Sequence, residues 1–131
     1  MIALDTNVLV RFLVEDDPDQ SARAAELVER LAREDVPVFI PDIVLVETVW
    51  VLSRSYRLPK NEIISALQGL VAARNVRFAS HDRVVDALRA WEKGKAGLAD
   101  YMILEEARRA GCEATATFDA VLTKERGTLE P

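Results

Sequence analysis

The sequence contains one cysteine, Cys112, and one histidine, His81, among its 131 residues. A single cysteine excludes an internal disulfide and is typical of the reducing cytoplasm, where we expect the protein to work. These two residues are too few for a structural zinc site, which usually needs four nitrogen or sulfur ligands. A serine or cysteine nucleophile activated by histidine would have to use His81, which we expect to lie on the surface, and no nucleophile motif stands out.

Long apolar runs and an excess of basic residues are also missing. Charged residues interrupt every apolar stretch well before the ~20 residues of a membrane span, so we predict no membrane segment. Asp5 interrupts any candidate signal peptide. The net charge of −5 argues against a simple basic nucleic-acid-binding domain. It does not exclude an enzyme that meets phosphates through bound divalent cations, since these invert the local charge.

Short apolar runs alternate with helical periods along the chain, of which 50% is hydrophobic. This order predicts one α/β domain over residues 1–131, with a parallel sheet and helices on both of its faces. We expect the first strand, Ile2–Leu4, to be buried. Residues 127–131 make a poor strand. The predicted strands are residues 2–4, 38–40, 76–78 and 114–117, and the predicted helices are residues 8–13, 18–33, 43–56, 60–74, 80–91 and 98–110.

Four acidic residues occupy distinctive positions in this pattern. Asp5 and Asp119 each follow a strand, Asp100 lies in the first turn of a helix, and Glu47 lies within an apolar helix. Helix capping alone would explain an aspartate at such a junction. If the four carboxylates converge, however, they form a pocket of oxygen ligands that suits Mg²⁺ or Mn²⁺.

Glu47 is the least expected of these acids. The residues at helical spacing from it, Ile43, Val44, Trp50 and Val51, are all apolar, and no Lys or Arg stands three or four residues away. We therefore expect Glu47 on a buried helix face, where a carboxylate must be paired or metal-bound. The alternative is a solvent-facing glutamate. We expect Trp50 and Trp91 to be core anchors rather than base-stacking platforms.

Four motifs in order carry a family resemblance: LDTN near the start, a glutamate after PDIVLV, then GLAD and TATFD. Together they resemble a PIN domain, most closely the VapC ribonuclease toxins of toxin–antitoxin pairs, over Met1 to Asp119. The resemblance implies a Rossmann-like three-layer α/β/α sandwich with a central, mostly parallel sheet. It also implies metal-site roles for Asp5, Glu47, Asp100 and Asp119, with Thr6, Asn7 and Thr117 as supporting polar residues.

The function implied by the resemblance is a Mg²⁺- or Mn²⁺-dependent endoribonuclease that a cognate antitoxin neutralises. Its reaction would use a metal-activated water rather than a side-chain nucleophile. Arg11, Lys93 and Lys95 are near the acids in sequence and are candidate phosphate contacts, although they could equally be solvated charges. The chain departs from the family at Ala120, where a basic residue is common, and in its weak last strand.

We also expect a homodimer, because family members are usually dimeric. The apolar stripes of helices 18–33 and 60–74 support this expectation, since they exceed what one small sheet can cover.

Three alternatives remain open at this point. The first is a phosphoacceptor module, which would need paired acids after the first strand and a lysine after the last; this chain has neither. The second is a non-catalytic interaction module, which is hard to reconcile with a complete set of acids. The third is a PIN-like nuclease that acts on another nucleic acid without a toxin role, and nothing in the sequence excludes it.

Overall fold

The computed structural model describes residues 1–131, which divide into two compact units, residues 1–81 and 82–131. The first unit contains strands β1 (Ile2–Ala3), β2 (Val38–Ile40) and β3 (Val76–Phe78). Its helices are α1 (Thr6–Leu13), α2 (Pro18–Arg33), α3 (Asp42–Arg54) and α4 (Lys60–Ala72). The second contains helices α5, which begins at the boundary (His81–Lys93), and α6 (Leu98–Arg109), strands β4 (Thr115–Ala116) and β5 (Thr128–Leu129), and a 3₁₀ turn, Leu122–Lys124.

The three strands of the first unit form a parallel sheet in the order β1-β2-β3. Two helices separate each strand from the next, which is what a parallel connection requires. The predicted α/β class with parallel strands flanked by helices is confirmed. The expectation that residues 2–4 are buried is wrong at Ile2, which is 45% exposed, and at Ala3, which is also exposed, whereas Leu4 is buried. The reason is that β1 is an edge strand, paired only with β2.

Local sequence signals explain the helix limits of the first unit. Helix α2 has the predicted bounds, because the Asp17 carboxylate accepts a hydrogen bond from the Gln20 backbone N–H (3.0 Å) and Pro18 fits the first helical position. Helix α3 ends at Arg54, two residues before its predicted end, and α4 ends at Ala72. The core of this unit includes Leu9, Ile40 and Leu45 together with Leu52, Ile63 and Leu67.

The second unit is built around α5 and α6. Trp91 is a core residue as predicted, and Tyr101 is 3% exposed. The Tyr101 hydroxyl donates to Glu125 (2.7 Å) and accepts from the Ala96 backbone N–H (3.3 Å); burial and the Glu125 contact raise the pKa of this phenol. A Cβ at position 94 would collide with the Tyr101 ring, so Gly94 is required by this close approach rather than by a phosphate loop.

The C-terminal half of the second unit departs from the sequence expectation. Gly111 follows α6 with a φ of +90°, and the backbone N–H of Cys112 donates to the carbonyl of Ala107, a glycine-terminated helix end as predicted. Strand β4 pairs in parallel with β5 in a separate two-stranded sheet. The poor strand at residues 127–131 therefore forms after all, although it is only two residues long. None of the helices is long and apolar enough to cross a membrane.

Candidate active site

A cavity of about 300 Å³ in the first unit brings two of the four predicted acids together. Asp5 reaches it from the junction of β1 and α1, and Glu47 from the second turn of α3. Because α1 packs against α3, residues far apart in sequence share this cavity. Its lining is Asp5, Thr6, Asn7, Val10, Arg11, Glu47, Val51 and Tyr56. We refer to it as the acidic cavity.

Asp5 has two structural functions at the start of α1. Its backbone carbonyl accepts the first helical hydrogen bond, from Leu9, and its carboxylate oxygen Oδ1 accepts from the Thr6 backbone N–H (2.8 Å). Capping therefore explains one of its oxygens. The carboxylate is nevertheless exposed in the acidic cavity, where Oδ2 is left for a further partner. Thr6 is buried at the same junction, and the neighbouring Asn7 is exposed.

Glu47 lies on an exposed face of α3. The prediction that its carboxylate is buried, and must therefore be paired or metal-bound, is wrong. Ile43 and Trp50, one turn to either side, are 75% and 58% exposed. The apolar residues that α3 buries are on its other faces, at Val44, Leu45, Val49 and Leu52. Glu47 is thus a solvent-accessible carboxylate on an otherwise apolar exposed strip. The expectation that Trp50 is a core anchor is wrong for the same reason.

Arg11 contributes a cation to the wall of the acidic cavity. Its Nη1 donates to Asp16 Oδ1 (2.7 Å) and to the Tyr56 hydroxyl (3.0 Å), and its Nε donates to Gln20 (2.9 Å). The Tyr56 hydroxyl in turn donates to Asp16 Oδ2 (2.8 Å). Hydrogen bonds from Tyr56 and Arg11 lower the pKa of Asp16, so this carboxylate stays ionised at neutral pH. The hydrogen bond to Asp16, together with burial, raises the pKa of Tyr56.

Asp16, Gln20 and Tyr56 had not been singled out from the sequence. Asp16 is five residues from Arg11, which is not the spacing of a helical ion pair, and Tyr56 is 45 residues away. No local pattern signals such a cluster, because the fold alone brings α1, the turn before α2 and the end of α3 together.

The other two predicted acids lie in the second unit, and each has a structural partner. Asp100, in the first turn of α6, accepts from the Gly97 backbone N–H through Oδ2 (3.0 Å). Asp119 accepts through Oδ1 from the backbone N–H groups of Val121 (2.9 Å) and Leu122 (2.8 Å), which caps the 3₁₀ turn. Each carboxylate keeps one oxygen without a hydrogen bond. The Thr117 hydroxyl accepts a hydrogen bond from the Asp119 backbone N–H (3.0 Å), and its supporting role at a metal site stays a prediction.

The remaining predicted residues are on the surface. Lys93 and Lys95 are exposed and form no ion pair. His81 is exposed, as expected, with Nε2 3.2 Å from the carbonyl oxygen of Val71 and its ring against Phe78.

The donor set of the acidic cavity fits a hard divalent cation. Two carboxylates and the side-chain oxygen of Asn7 are available there, with no sulfur or imidazole ligand, whereas the Thr6 side chain is buried. Neither unit by itself assembles three acidic, histidine or cysteine side chains in position to hold a metal ion. A cation in the acidic cavity would therefore complete its coordination with water or phosphate oxygens, as Mg²⁺ commonly does.

Known protein families and solved structures provide a comparison for this chain. The sequence matches the PIN domain family over residues 2–125, and the chain therefore belongs to this family, whose members include nucleases. Among solved structures, the chain is similar to VapC20 of Mycobacterium tuberculosis, described as a toxin that cleaves the sarcin-ricin loop. The identity is 19% and the TM-score 0.43, over 95% of this chain and 94% of VapC20. No curated protein matches the sequence.

Proposed function

We propose that the protein is a metal-dependent endoribonuclease of the VapC type, in which Asp5, Glu47, Asp100 and Asp119 supply the metal ligands. The observation that carries this proposal is that Asp5 and Glu47 line one cavity in a chain of the PIN family. Mg²⁺ or Mn²⁺, when bound, would lower the pKa of a bound water and polarise a phosphoryl oxygen. The exposed, unpaired Cys112 is compatible with the cytoplasmic site of action that we propose.

The chain's own residues would place the RNA. Asp5 and Glu47 supply negative charge to the lining of the acidic cavity, and Arg11 supplies positive charge. Asn7 is exposed beside Asp5 and can offer its amide N–H groups to a phosphate or its oxygen to the cation. Thr6 is 7% exposed, so its contribution is to hold the Asp5 carboxylate through its backbone N–H. Lys93 and Lys95 remain candidate phosphate contacts.

Cleavage of RNA should require a divalent metal. Purified protein is expected to cut single-stranded RNA in Mg²⁺ or Mn²⁺ and to stop when EDTA is added, because water attack on a phosphodiester needs the activation that the metal supplies. Gel analysis of end-labelled RNA, with single-stranded DNA in parallel, provides the measurement. Cleavage that survives complete chelation, or cleavage of DNA alone, would contradict the proposal.

The protein is proposed to act as a homodimer, but not through the surfaces expected from the sequence. The apolar stripes of α2 and α4 contribute none of the large exposed hydrophobic residues. On α3, by contrast, Ile43 and Trp50 are exposed on the face that carries Glu47, and the Arg54 guanidinium carbon lies 4.0 Å from the Trp50 ring centroid. A two-fold pair would place Ile43 and Trp50 against the same side chains of the partner, with Glu47 outside the contact, where it lines the acidic cavity.

Replacing Trp50 with glutamate should convert the dimer to a monomer. The substitution puts a charge at the centre of the proposed interface, where an unpaired carboxylate is costly, whereas the ring is exposed in the single chain and its loss should leave the fold intact. Light scattering at micromolar concentration measures the mass, and Ile103→Glu, at another exposed residue, is the control. A monomeric parent, or dissociation by the control alone, would rule out this interface.

A cognate antitoxin is the proposed protein partner. A groove of about 330 Å³ between α1 and α2 suits an apolar segment, since Val8, Ala24 and Leu27 line it. Asn7 and Arg11 line both this groove and the acidic cavity. A segment in the groove could therefore extend an arginine towards Asp5 and Glu47. Co-purification with the product of an adjacent small reading frame, weakened when Leu27 is replaced by aspartate, would support this arrangement, and unchanged binding would exclude the groove.

A further inference from the structure

The guanidinium of Arg11 is held by the protein on one side only. Nε and Nη1 provide three of its five N–H donors, and these are taken by Gln20, Asp16 and Tyr56. The two N–H groups of Nη2 have no acceptor. A guanidinium with two donors left over, in a side chain that is only 29% exposed, is oriented for a ligand that is not part of the chain.

The position of Arg11 identifies the chemistry of that ligand. Arg11 lines the acidic cavity with Asp5 and Glu47 but forms no ion pair with either, because its partner is Asp16. The cavity therefore presents two carboxylates and a guanidinium that do not neutralise one another. Any anionic ligand would be repelled by Asp5 and Glu47 unless it shares a divalent cation with them. Under the proposed ribonuclease function that ligand is a phosphodiester, which can share the cation and accept hydrogen bonds from the guanidinium.

The Arg11 contacts also restrict its motion before a ligand arrives. Arg11, Asp16 and Tyr56 are mutually hydrogen-bonded, so each of these side chains is held by the other two. An arginine on a surface usually loses rotamer freedom when it binds phosphate. In this protein, hydrogen bonds already restrict the Arg11 rotamers before RNA binds. Less side-chain entropy is then lost on binding, which increases the affinity.

We propose that Arg11 binds an RNA phosphate through Nη2 and that Asp16, Gln20 and Tyr56 are positioning residues for it. The inference rests on the proposed ribonuclease function, and it adds three residues and a specific donor atom to it. Arg11 touches the substrate, whereas Tyr56 acts through Arg11 and Asp16. The contacted phosphate is a single one, because the guanidinium is fixed in the cavity wall.

The test uses a panel of short single-stranded RNAs, each with one phosphate replaced by a neutral methylphosphonate. Binding to the full chain is followed by fluorescence anisotropy with Ca²⁺ in place of Mg²⁺ to slow cleavage. We expect Arg11→Gln to bind the unmodified RNA about 10- to 100-fold more weakly, the size of a charge-assisted hydrogen-bond contact. One methylphosphonate should weaken binding to the parent by a similar factor but have no further effect on Arg11→Gln.

Tyr56→Phe separates positioning from folding, since it removes one oxygen and keeps the ring. We expect KM for RNA to rise about fivefold with kcat nearly unchanged, because both Tyr56 hydrogen bonds are lost while Arg11 keeps its contacts with Asp16 and Gln20. The methylphosphonate that weakens binding to the parent should weaken binding to Tyr56→Phe by a smaller factor, because Arg11 is less well oriented in this variant. Arg11→Lys keeps the charge but not the planar fork, so it should restore only part of the affinity. Arg30→Gln, which removes the same charge from exposed α2 surface, is the control.

Equal losses from Arg11→Gln and Arg30→Gln would show that only net charge matters, and equal losses at every neutralised linkage would exclude a single contacted phosphate. Either result overturns the proposal, as does RNA binding that Arg11→Gln leaves unchanged. A parent that binds with the expected position dependence but cuts no RNA in Mg²⁺ or Mn²⁺ would instead contradict the ribonuclease function and leave the phosphate contact supported.

Discussion

Replacing Asp5 with asparagine should reduce Mg²⁺-dependent RNA cleavage by about 1000-fold or more, since a metal site contributes several kcal/mol of transition-state stabilisation. The folded chain should tolerate the change. The asparagine side-chain oxygen can still accept the Thr6 N–H that the Asp5 carboxylate accepts at the start of α1, so the helix cap remains. The substitution removes one of the two carboxylate charges in the acidic cavity and leaves that of Glu47.

Glu47→Gln should also reduce Mg²⁺-dependent RNA cleavage, because it too removes a carboxylate charge from the acidic cavity. Glu47 is exposed and makes no hydrogen bond or ion pair in the structure, so its replacement should change the melting temperature little. Asp19→Asn and Glu29→Gln are matched controls at exposed positions of α2 and should cleave like the parent. Initial cleavage rates at saturating Mg²⁺ provide the comparison. Parent-like rates in Asp5→Asn or Glu47→Gln would show that the acidic cavity is not the site of the reaction.

The second large effect is expected in the other unit, where Asp100→Asn and Asp119→Asn should also reduce cleavage by two orders of magnitude or more. Both substitutions keep an oxygen that can accept the backbone hydrogen bonds from Gly97 or from Val121 and Leu122. The loss of activity should therefore follow the loss of charge rather than the loss of a cap. Circular dichroism melting without metal checks that each variant remains folded.

Asp119→Ala distinguishes the two functions of that residue. Alanine removes the cap as well as the charge, and a lost cap typically costs about 0.5–2 kcal/mol. Asp119→Ala should thus be both inactive and less stable, whereas Asp119→Asn should be inactive at nearly parent stability. If Asp119→Asn cleaves as the parent does and only the alanine variant is impaired, Asp119 is a structural residue alone.

The sequence predicted those elements whose signals are local. Asp17 and Pro18 define the start of α2, and Gly111 defines the end of α6, because caps and turns depend on adjacent residues. Exposure was harder to predict. Trp50 and Glu47 share one face of α3, and the pattern of a largely apolar helix does not reveal which face packs. The pairing of β4 with β5 was missed because a two-residue strand carries almost no periodicity.

The residues of the candidate site also differ in whether local sequence signals predict their positions. The positions of Asp5, Asp100 and Asp119 near element junctions follow from the sequence, since each lies within or close to the helix or turn that it caps. The cluster of Arg11, Asp16 and Tyr56 does not, because Tyr56 is 40 or more positions away from the other two residues. Sequence proximity suggested Arg11 as a phosphate contact, but the partners that orient it became visible only in the folded chain.

The most direct test of the central claim, that these acids hold the catalytic metal, is the melting temperature with and without Mg²⁺ for the parent, Asp5→Asn and Asp100→Asn. A metal bound only by the folded state stabilises it by about 2.7 kcal/mol at 100 times its Kd, or roughly 8 °C for a chain of this size. We predict that increase for the parent and little or none for either variant. Variants that respond to Mg²⁺ as the parent does, or a parent that does not respond at all, would contradict the account.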